Sequence, residues 1–206
     1  MRPGKIIGIG WNYRSHLAET NAVLPKEPLV FLKPSSCLTG NGDDIVIIEG
    51  TGSVHYEGEL AVIFGKTGKN IPEKDALSYV SHAAVFNDVT AREMQTKARS
   101  EGNPWDIAKG MDTFGPMSEP VPISSVRDIQ DLDIELYLNG ELKQKDNTSS
   151  MIFPVNVLIA YVSKFMTIEK GDIMVTGTPE GVGELKKGDT VTVKITGVGE
   201  LTNKVV

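Results

Sequence analysis

The chain has 206 residues, of which 40% are hydrophobic and 23% charged, and its formal net charge at pH 7 is −6. This composition is ordinary for a soluble globular protein, and the length is enough to bury a sizeable core. An acidic chain without a block of Lys or Arg is a poor partner for nucleic acid or for an anionic membrane. Since no run approaches the ~20 apolar residues of a membrane span and Cys37 is the one cysteine, we expect a cytoplasmic protein.

Short apolar runs punctuated by Gly and Pro dominate the first half of the chain. The patterns predict strands at 5–10, 28–34, 44–48, 53–66 and 83–88, and helical segments at 12–20, 72–82 and 90–102. For the last of these helices, we expect Thr90 to be the N-cap, Glu93 to complete a capping box and Gly102 to follow the C-terminal end.

The clearest local signal of the second half is Asn139-Gly140 between two strand-like runs, which predicts a type I′ hairpin over 133–144. The further predicted elements are a helix at 154–166, a strand running into a Gly-rich turn at 171–183 and a closing hairpin at 189–206. Strands outnumber helices without regular βαβ alternation, so the pattern predicts an α+β fold. The length allows one large domain or two small ones.

Two glutamates lie two residues apart in the longest predicted strand, within "HYEGELAV" (55–62). Because side chains alternate along a strand, Glu57 and Glu59 would share one face, with Cα atoms roughly 6.5–7 Å apart. Such a pair usually marks a solvated surface. This strand, however, continues into "LAVIFG", which is apolar on both faces, as expected of a strand that enters the core. Since buried carboxylates are costly unless paired or metal-bound, a hard cation such as Mg²⁺ or Mn²⁺ would resolve the conflict.

Asp88, at the end of the predicted strand 83–88, is the candidate for a third ligand, although an aspartate at a helix start or in a turn is commoner. Lys109 follows an apolar stretch in "PWDIAKGMDTFGP". Near a metal, such a lysine can stabilise a developing enolate or clamp a substrate carboxylate, whereas its usual fate is the protein surface.

His16 and Glu19 stand three residues apart in "HLAE", so on a helix they would share a face. A carboxylate that holds an imidazole in one tautomer makes a general base, and the alternative is an ordinary surface pair. The segment "TGTPEGVG" (176–183) lacks the ending of a P-loop, and we expect a tight turn that presents N–H groups and Thr hydroxyls to an anion.

Together these motifs resemble one family, the fumarylacetoacetate hydrolase superfamily in its short, single-domain form. The match covers nearly the whole chain, in order and at family spacing, and includes "GWNYRSHLAE", "EPLVFLKP", "VHYEGELAVIFGK", "FNDVTAREMQ", "PWDIAKGMDTFGP", "LNGELKQ", "GDIMVTGTPEGVG" and "KKGDTVTVKITGVGELTNKVV". The resemblance implies a single catalytic domain over 1–206, built as a mixed β-sandwich roll with a few peripheral helices and usually dimeric. One departure is Trp11, which stands where relatives commonly have Arg.

The resemblance also implies a divalent metal, Mg²⁺ with Mn²⁺ or Ca²⁺ as substitutes, and a mobile lid segment at residues 10–27. On this segment, the pair of His16 and Glu19 matches the dyad that activates water in the metal-dependent hydrolases of the family. The implied residues are Glu57, Glu59 and Asp88 for the metal; His16, Glu19 and Lys109 for catalysis; and Arg92, Gln95 and Thr178 for substrate contact.

Substrates of this family share a 2-oxo or 1,3-diketo carboxylic acid unit, whose carboxylate and keto oxygens can chelate Mg²⁺. The resemblance therefore implies a small-molecule 2-oxo acid substrate. The reaction would be acylpyruvate-type C–C hydrolysis, or the 2-hydroxyhepta-2,4-diene-1,7-dioate isomerase/decarboxylase activity of aromatic-acid degradation. The sequence leaves open an oxaloacetate decarboxylase, a non-catalytic metal-dependent binder of 2-oxo acids, and a β-rich structural domain. The expectation of a homodimer comes from the family alone.

Overall fold

The structure, a computed structural model, describes residues 2–20 and 23–206. Within these residues the chain forms sixteen strands, four α-helices and four short 3₁₀ helices. The strands are β1 (Ile6–Gly10), β2 (Leu29–Lys33), β3 (Leu38–Thr39), β4 (Asp44–Ile45), β5 (Val54–Tyr56), β6 (Gly58–Phe64), β7 (Val80–Asn87), β8 (Thr90–Ala91), β9 (Gly115–Pro116), β10 (Val121–Pro122), β11 (Asp133–Leu138), β12 (Glu141–Asn147), β13 (Ile173–Val175), β14 (Gly183–Leu185), β15 (Thr190–Ile195) and β16 (Gly199–Val205). The α-helices are α1 (Arg14–Thr20), α2 (Arg92–Ser100), α3 (Asp106–Gly110) and α4 (Val155–Phe165).

Two mixed sheets pack against each other to form the body of the molecule. The larger has the strand order β10-β7-β6-β13-β1-β2, and the second has the order β12-β11-β15-β16-β4. Leu60 and Val85 from the first sheet and Leu136 and Val193 from the second belong to one buried hydrophobic cluster. Two smaller sheets, β14-β5-β8 and β3-β9, complete the strands. This arrangement confirms the predicted α+β class and the mixed sheet packing.

Several local predictions are confirmed. Asn139 and Gly140 have φ values of +53° and +83°, and both central residues of a type I′ turn require positive φ. The helix predicted at 154–166 is α4, which buries its apolar stripe against the core. None of the helices in the described residues is long and apolar enough to cross a membrane.

The prediction of one continuous strand over 53–66 is wrong, because the strand breaks at Glu57. The N–H of Glu57 donates to the Asn87 side chain at 2.9 Å, and its carbonyl accepts from the N–H of Asp88 at 2.8 Å. These bonds replace the regular ladder. As a result, β5 joins the three-stranded sheet and β6 joins the six-stranded one.

The predicted capping box of the helix at 90–102 is also wrong. The helix starts at Arg92, while Thr90 lies in β8 and donates its hydroxyl to the carbonyl of Asp88 at 2.8 Å. The Glu93 carboxylate instead accepts from the backbone N–H of Ser53 at 3.2 Å. Gly102 does follow the helix end, with φ of +71°.

Two further predictions hold only in part. The helix predicted at 72–82 is a 3₁₀ helix that spans Glu73–Tyr79. It ends there because Val80 already pairs with Phe64 in the large sheet. The strand predicted at 44–48 ends at Ile45, since the next N–H, of Val46, donates to the Thr113 side chain at 2.9 Å.

Candidate metal centre and active site

Three buried carboxylates converge where the two parts of the broken strand meet. Glu57, Glu59 and Asp88 each offer one oxygen, and these oxygens lie within 4.8 Å of one another. The three residues are 6%, 1% and 1% exposed, so the interpretation of the glutamate pair as a solvated surface is wrong. Glu59 projects from β6, Glu57 lies at the break before it, and Asp88 follows β7, the neighbour of β6 in the sheet.

Three cations contact this carboxylate cluster. Lys109 Nζ lies 2.7 Å from Glu57 Oε2 and 2.6 Å from Asp88 Oδ2, and the lysine is 2% exposed, so its surface alternative is wrong. Arg92 donates to the other oxygen of Glu57. Lys33 Nζ lies 2.5 Å from the other oxygen of Asp88. Glu57 and Asp88 therefore each contact two of the three cations, and of these cations only Arg92 is partly exposed.

The third carboxylate, Glu59, is held by the turn after β13. Its Oε2 accepts from the backbone N–H of Gly177 at 2.8 Å. Gly177 has φ of +94°, and a Cβ built there would lie 2.8 Å from the Asn12 side chain and 3.2 Å from the Ile9 carbonyl. Only glycine fits this turn without displacing its neighbours.

The carboxylates of the cluster differ in their affinity for protons. Burial raises the pKa of Glu59, and the nearby charges of Asp88 and Glu57 raise it further, well above its usual range. Burial also raises the pKa of Glu57, but Lys109 and Arg92 outweigh this effect and hold it well below the ordinary value. Burial lowers the pKa of Lys109, yet Asp88 and Glu57 raise it by more, so Lys109 remains a cation.

The predicted dyad lies on α1 and is formed in the structure. His16 Nδ1 is 3.0 Å from Glu19 Oε2, and the backbone N–H of Gly181 donates to Glu19 Oε1 at 3.0 Å. His16 is 5% exposed, so the alternative of an ordinary surface pair is wrong for the imidazole. Of the predicted lid at residues 10–27, Asn21 and Ala22 lie outside the described residues.

A cavity of about 370 Å³ brings the predicted residues together. Eight of the nine line its wall, namely His16, Glu19, Glu57, Glu59, Arg92, Gln95, Lys109 and Thr178. The ninth, Asp88, is 1% exposed and contacts the wall through Lys109. Arg92 also donates to Gln95 Oε1 at 2.6 Å, so the two predicted substrate contacts support each other. Volumes of this size suit a small organic acid.

Sequence reasoning missed two residues that hold the site in place. Lys33 is a charged residue in a short apolar strand, which was a signal that a buried partner exists. Gln144 accepts from the N–H of Gly58 at 3.0 Å and donates to Thr178 Oγ1 at 2.8 Å, so it links β6 to the turn at 176–183. Nothing in the sequence around Gln144 distinguishes it from a surface glutamine.

Comparison with known proteins gives a consistent assignment. The family model described as fumarylacetoacetate (FAA) hydrolase C-terminal matches residues 5–206. The mitochondrial oxaloacetate tautomerase FAHD1 of Arabidopsis thaliana is 45% identical over 197 residues, which cover 96% of this chain and 88% of that protein.

Two solved structures are similar over nearly the whole chain. Fumarylpyruvate hydrolase from Pseudomonas aeruginosa, in complex with Mn²⁺ and pyruvate, is 33% identical with a TM-score of 0.96, covering 99% of this chain and 90% of that one. The 2-hydroxyhepta-2,4-diene-1,7-dioate isomerase from Mycobacterium marinum is 35% identical with a TM-score of 0.88, covering 100% and 75% of the two chains. The chain therefore belongs to the fumarylacetoacetate hydrolase family of enzymes and has its fold.

Proposed function

We propose that the chain is a divalent-metal-dependent enzyme that acts on 2-oxo carboxylic acids in the cavity above the carboxylate cluster. The observation that carries this proposal is the buried group formed by Glu57, Glu59 and Asp88, whose oxygens lie within 4.8 Å of one another. The Mn²⁺ and pyruvate bound by the fumarylpyruvate hydrolase of P. aeruginosa support it, since pyruvate is a 2-oxo acid.

The residues of the cluster fit a hard dication such as Mg²⁺, Mn²⁺ or Ca²⁺. All three donors are carboxylate oxygens, which these ions prefer. Burial raises the pKa of Glu59, and the charges of Asp88 and Glu57 raise it further; a dication would relieve the repulsion between these carboxylates. Three carboxylates and three cations sum to zero, so the occupied cluster would carry a net charge of about +2 and attract an anionic substrate.

When bound, the dication would supply Lewis-acid polarisation of the substrate's keto oxygen. The chain's own residues would then provide proton transfer, substrate binding and stabilisation of the enolate. His16, oriented by Glu19, takes a proton from the attacking water, and the N–H of Gly181 fixes Glu19 in turn. Arg92 and Gln95 bind the substrate carboxylate, and the charged Lys109 stabilises the developing enolate. We also propose that the segment 10–27, which carries the dyad, is a lid that excludes bulk water.

Acylpyruvate-type hydrolysis uses all of these parts, because it needs a general base for water. Isomerisation of a 2-hydroxy-dienoate needs proton transfer at the same place, and decarboxylation needs chiefly electrostatic support. Oxaloacetate tautomerisation is a second candidate, favoured by the 45% identity to the tautomerase of A. thaliana. The formed dyad argues against a binder without turnover, since a binder has no use for a buried base.

The test is an ultraviolet assay with Mg²⁺ or Mn²⁺ over acetylpyruvate, fumarylpyruvate, oxaloacetate and a 2-hydroxy-dienedioate. In His16→Ala we expect hydrolysis to fall by about 10²–10⁴-fold, the usual contribution of a general base, with a much smaller loss of decarboxylation. His82→Ala is the control, because His82 lies on β7 away from the cavity.

Equal loss of hydrolysis and decarboxylation in His16→Ala would contradict the proposal that His16 acts as the base for hydrolysis while decarboxylation depends chiefly on electrostatic support. Metal binding without turnover of any of these acids would favour the non-catalytic binder instead.

A further inference from the structure

One face of α2 forms a wall of the cavity. Arg92, Gln95, Thr96 and Arg99 follow the spacing i, i+3, i+4 and i+7, so they share that face, and all four line the cavity. Seven residues of α-helix rise about 10.5 Å. The two arginines therefore mark two ends of the wall, one at the carboxylate cluster and one about two helical turns away.

The two arginines differ in their partners. Arg92 is engaged with Glu57 and Gln95. Within residues 2–20 and 23–206, Arg99 has neither an ion pair nor a side-chain hydrogen bond, and its guanidinium carbon lies 4.4 Å from the centre of the Trp11 ring. A cation that lines a cavity without a carboxylate partner is a candidate receptor for an anionic group.

The acidic residues of the cavity wall do not supply that partner. Glu19 contacts His16 and the N–H of Gly181, and the two glutamates of the cluster contact groups at the other end of the wall. Within the described residues, Arg99 thus lacks a carboxylate contact of the kind that Glu57 provides for Arg92.

The contact with Trp11 prepares Arg99 for this role. A guanidinium over an indole ring is attracted by the ring face, while the N–H groups along its edge stay free for a planar, bidentate acceptor. Trp11 has φ of +52°, an uncommon backbone conformation for a bulky residue, and it lines the same cavity. Holding the side chain of Arg99 in advance reduces the entropy lost when a ligand binds.

We propose that Arg99, positioned by Trp11, is a specificity-determining residue that binds a second carboxylate at the far end of the substrate. The preferred substrate is then a 2-oxo dicarboxylate rather than a 2-oxo monocarboxylate. This inference rests on the proposed function, because that function places the 2-oxo acid end of the substrate at the carboxylate cluster.

The test measures binding by calorimetry to the full chain loaded with Mn²⁺, using 2-oxoadipate and 2-oxohexanoate, which differ in the presence of a terminal carboxylate. We expect the wild type to bind the dicarboxylate about tenfold more tightly or better, as a charge-assisted bidentate pair allows. In Arg99→Gln this preference should fall to about twofold or less, with unchanged affinity for the monocarboxylate, and Arg99→Lys should be intermediate.

Lys97→Gln is the matched control. It removes the same charge from the same helix, but Lys97 lines a different cavity on the other side of α2. Trp11→Leu should weaken the preference for the dicarboxylate, and Trp11→Phe, which keeps an aromatic face, should largely retain it.

Equal binding of both acids by the wild type would overturn the inference and leave the proposed function intact. A preference that survives Arg99→Gln, or that Lys97→Gln removes equally, would also overturn it, since the second result would indicate a long-range charge effect. If the Mn²⁺-loaded protein binds neither acid, the proposed function fails and the inference fails with it.

Discussion

Lys33 shows how this protein accommodates charge in its interior. Its side chain is wholly buried at the end of β2, and Nζ donates to Asp88 Oδ1 at 2.5 Å and to the Phe114 carbonyl at 2.9 Å. Asp88 in turn has Lys109 on its second oxygen. Removing one member of such a buried group leaves the other charge without compensation, which is more costly than never having buried the pair.

We predict that Lys33→Met lowers the free energy of unfolding of the metal-free protein by about 3 kcal/mol, the low end for a broken buried pair, because Lys109 still contacts Asp88. Urea unfolding in the presence of a chelator measures this. Lys194→Met is the control, since Lys194 forms an exposed pair with Glu200 at 3.0 Å, and it should cost less than about 1 kcal/mol. Similar losses in both variants would show that the buried pair contributes no more than a surface pair.

At the scale of secondary structure, the sequence predicted those features that depend on near neighbours. The I′ turn at Asn139-Gly140 and the helix α4 follow from local chemistry and from apolar periodicity. Alternation along the strand placed Glu57 and Glu59 toward the same site. It did not reveal the break at Glu57, because the Asn87 side chain that holds the Glu57 N–H lies 30 residues away in the chain.

The difference between partners near in sequence and partners far away in sequence also explains the other features that were predicted wrongly or not at all. The capping box at Thr90 satisfies a local pattern, but the actual partners of Thr90 and Glu93 are backbone groups outside the helix. Lys33 and Gln144 lie in strands whose neighbours are known only once the order of the sheets is known. Resemblance to a family supplied the candidate metal ligands and the candidate His16–Glu19 dyad, whereas physical reasoning from spacing alone left the role of each residue open.

The turn after β13 allows a test of how the backbone positions Glu59, a proposed metal ligand. Gly177 and Gly188 have nearly equal φ values, +94° and +95°, but a Cβ on Gly177 would meet the Asn12 side chain at 2.8 Å, whereas a Cβ on Gly188 would meet nothing within 4 Å. Alanine at either position pays the same left-handed backbone penalty of about 1–2 kcal/mol. Only at Gly177 does it also displace the N–H that holds Glu59.

We therefore predict that Gly177→Ala weakens Mn²⁺ binding by about tenfold or more, because Glu59 loses its fixed position, while Gly188→Ala leaves Mn²⁺ affinity unchanged. Both variants should lose stability, Gly177→Ala more than Gly188→Ala. Titration calorimetry with Mn²⁺ and urea unfolding give the two quantities. Equal Mn²⁺ affinity in the two variants would mean that this turn does not position the ligand.

At the scale of the whole molecule, the carboxylate cluster joins parts of the chain that are separate in sequence. Glu57 and Glu59 flank the start of β6, Asp88 follows β7, and the lysines come from β2 and α3. Because these groups meet only in the folded protein, a metal bound here would favour the native state over the unfolded chain. The proposed function therefore links the stability of the fold to occupancy of the site.

The raised pKa of Glu59 predicts how Glu59→Gln changes the stability of the protein without and with a bound metal. Burial and two carboxylate neighbours disfavour the charged Glu59, so its replacement by Gln should leave the metal-free protein at least as stable as the wild type. With Mn²⁺ at 100 times the dissociation constant, the wild type should gain about 2.7 kcal/mol, and Glu59→Gln should gain far less at the same concentration. Glu184→Gln, which changes an exposed carboxylate, should respond to Mn²⁺ as the wild type does. If Glu59→Gln destabilises the metal-free protein and still gains the full increment from Mn²⁺, then Glu59 is a structural residue and the ion binds elsewhere.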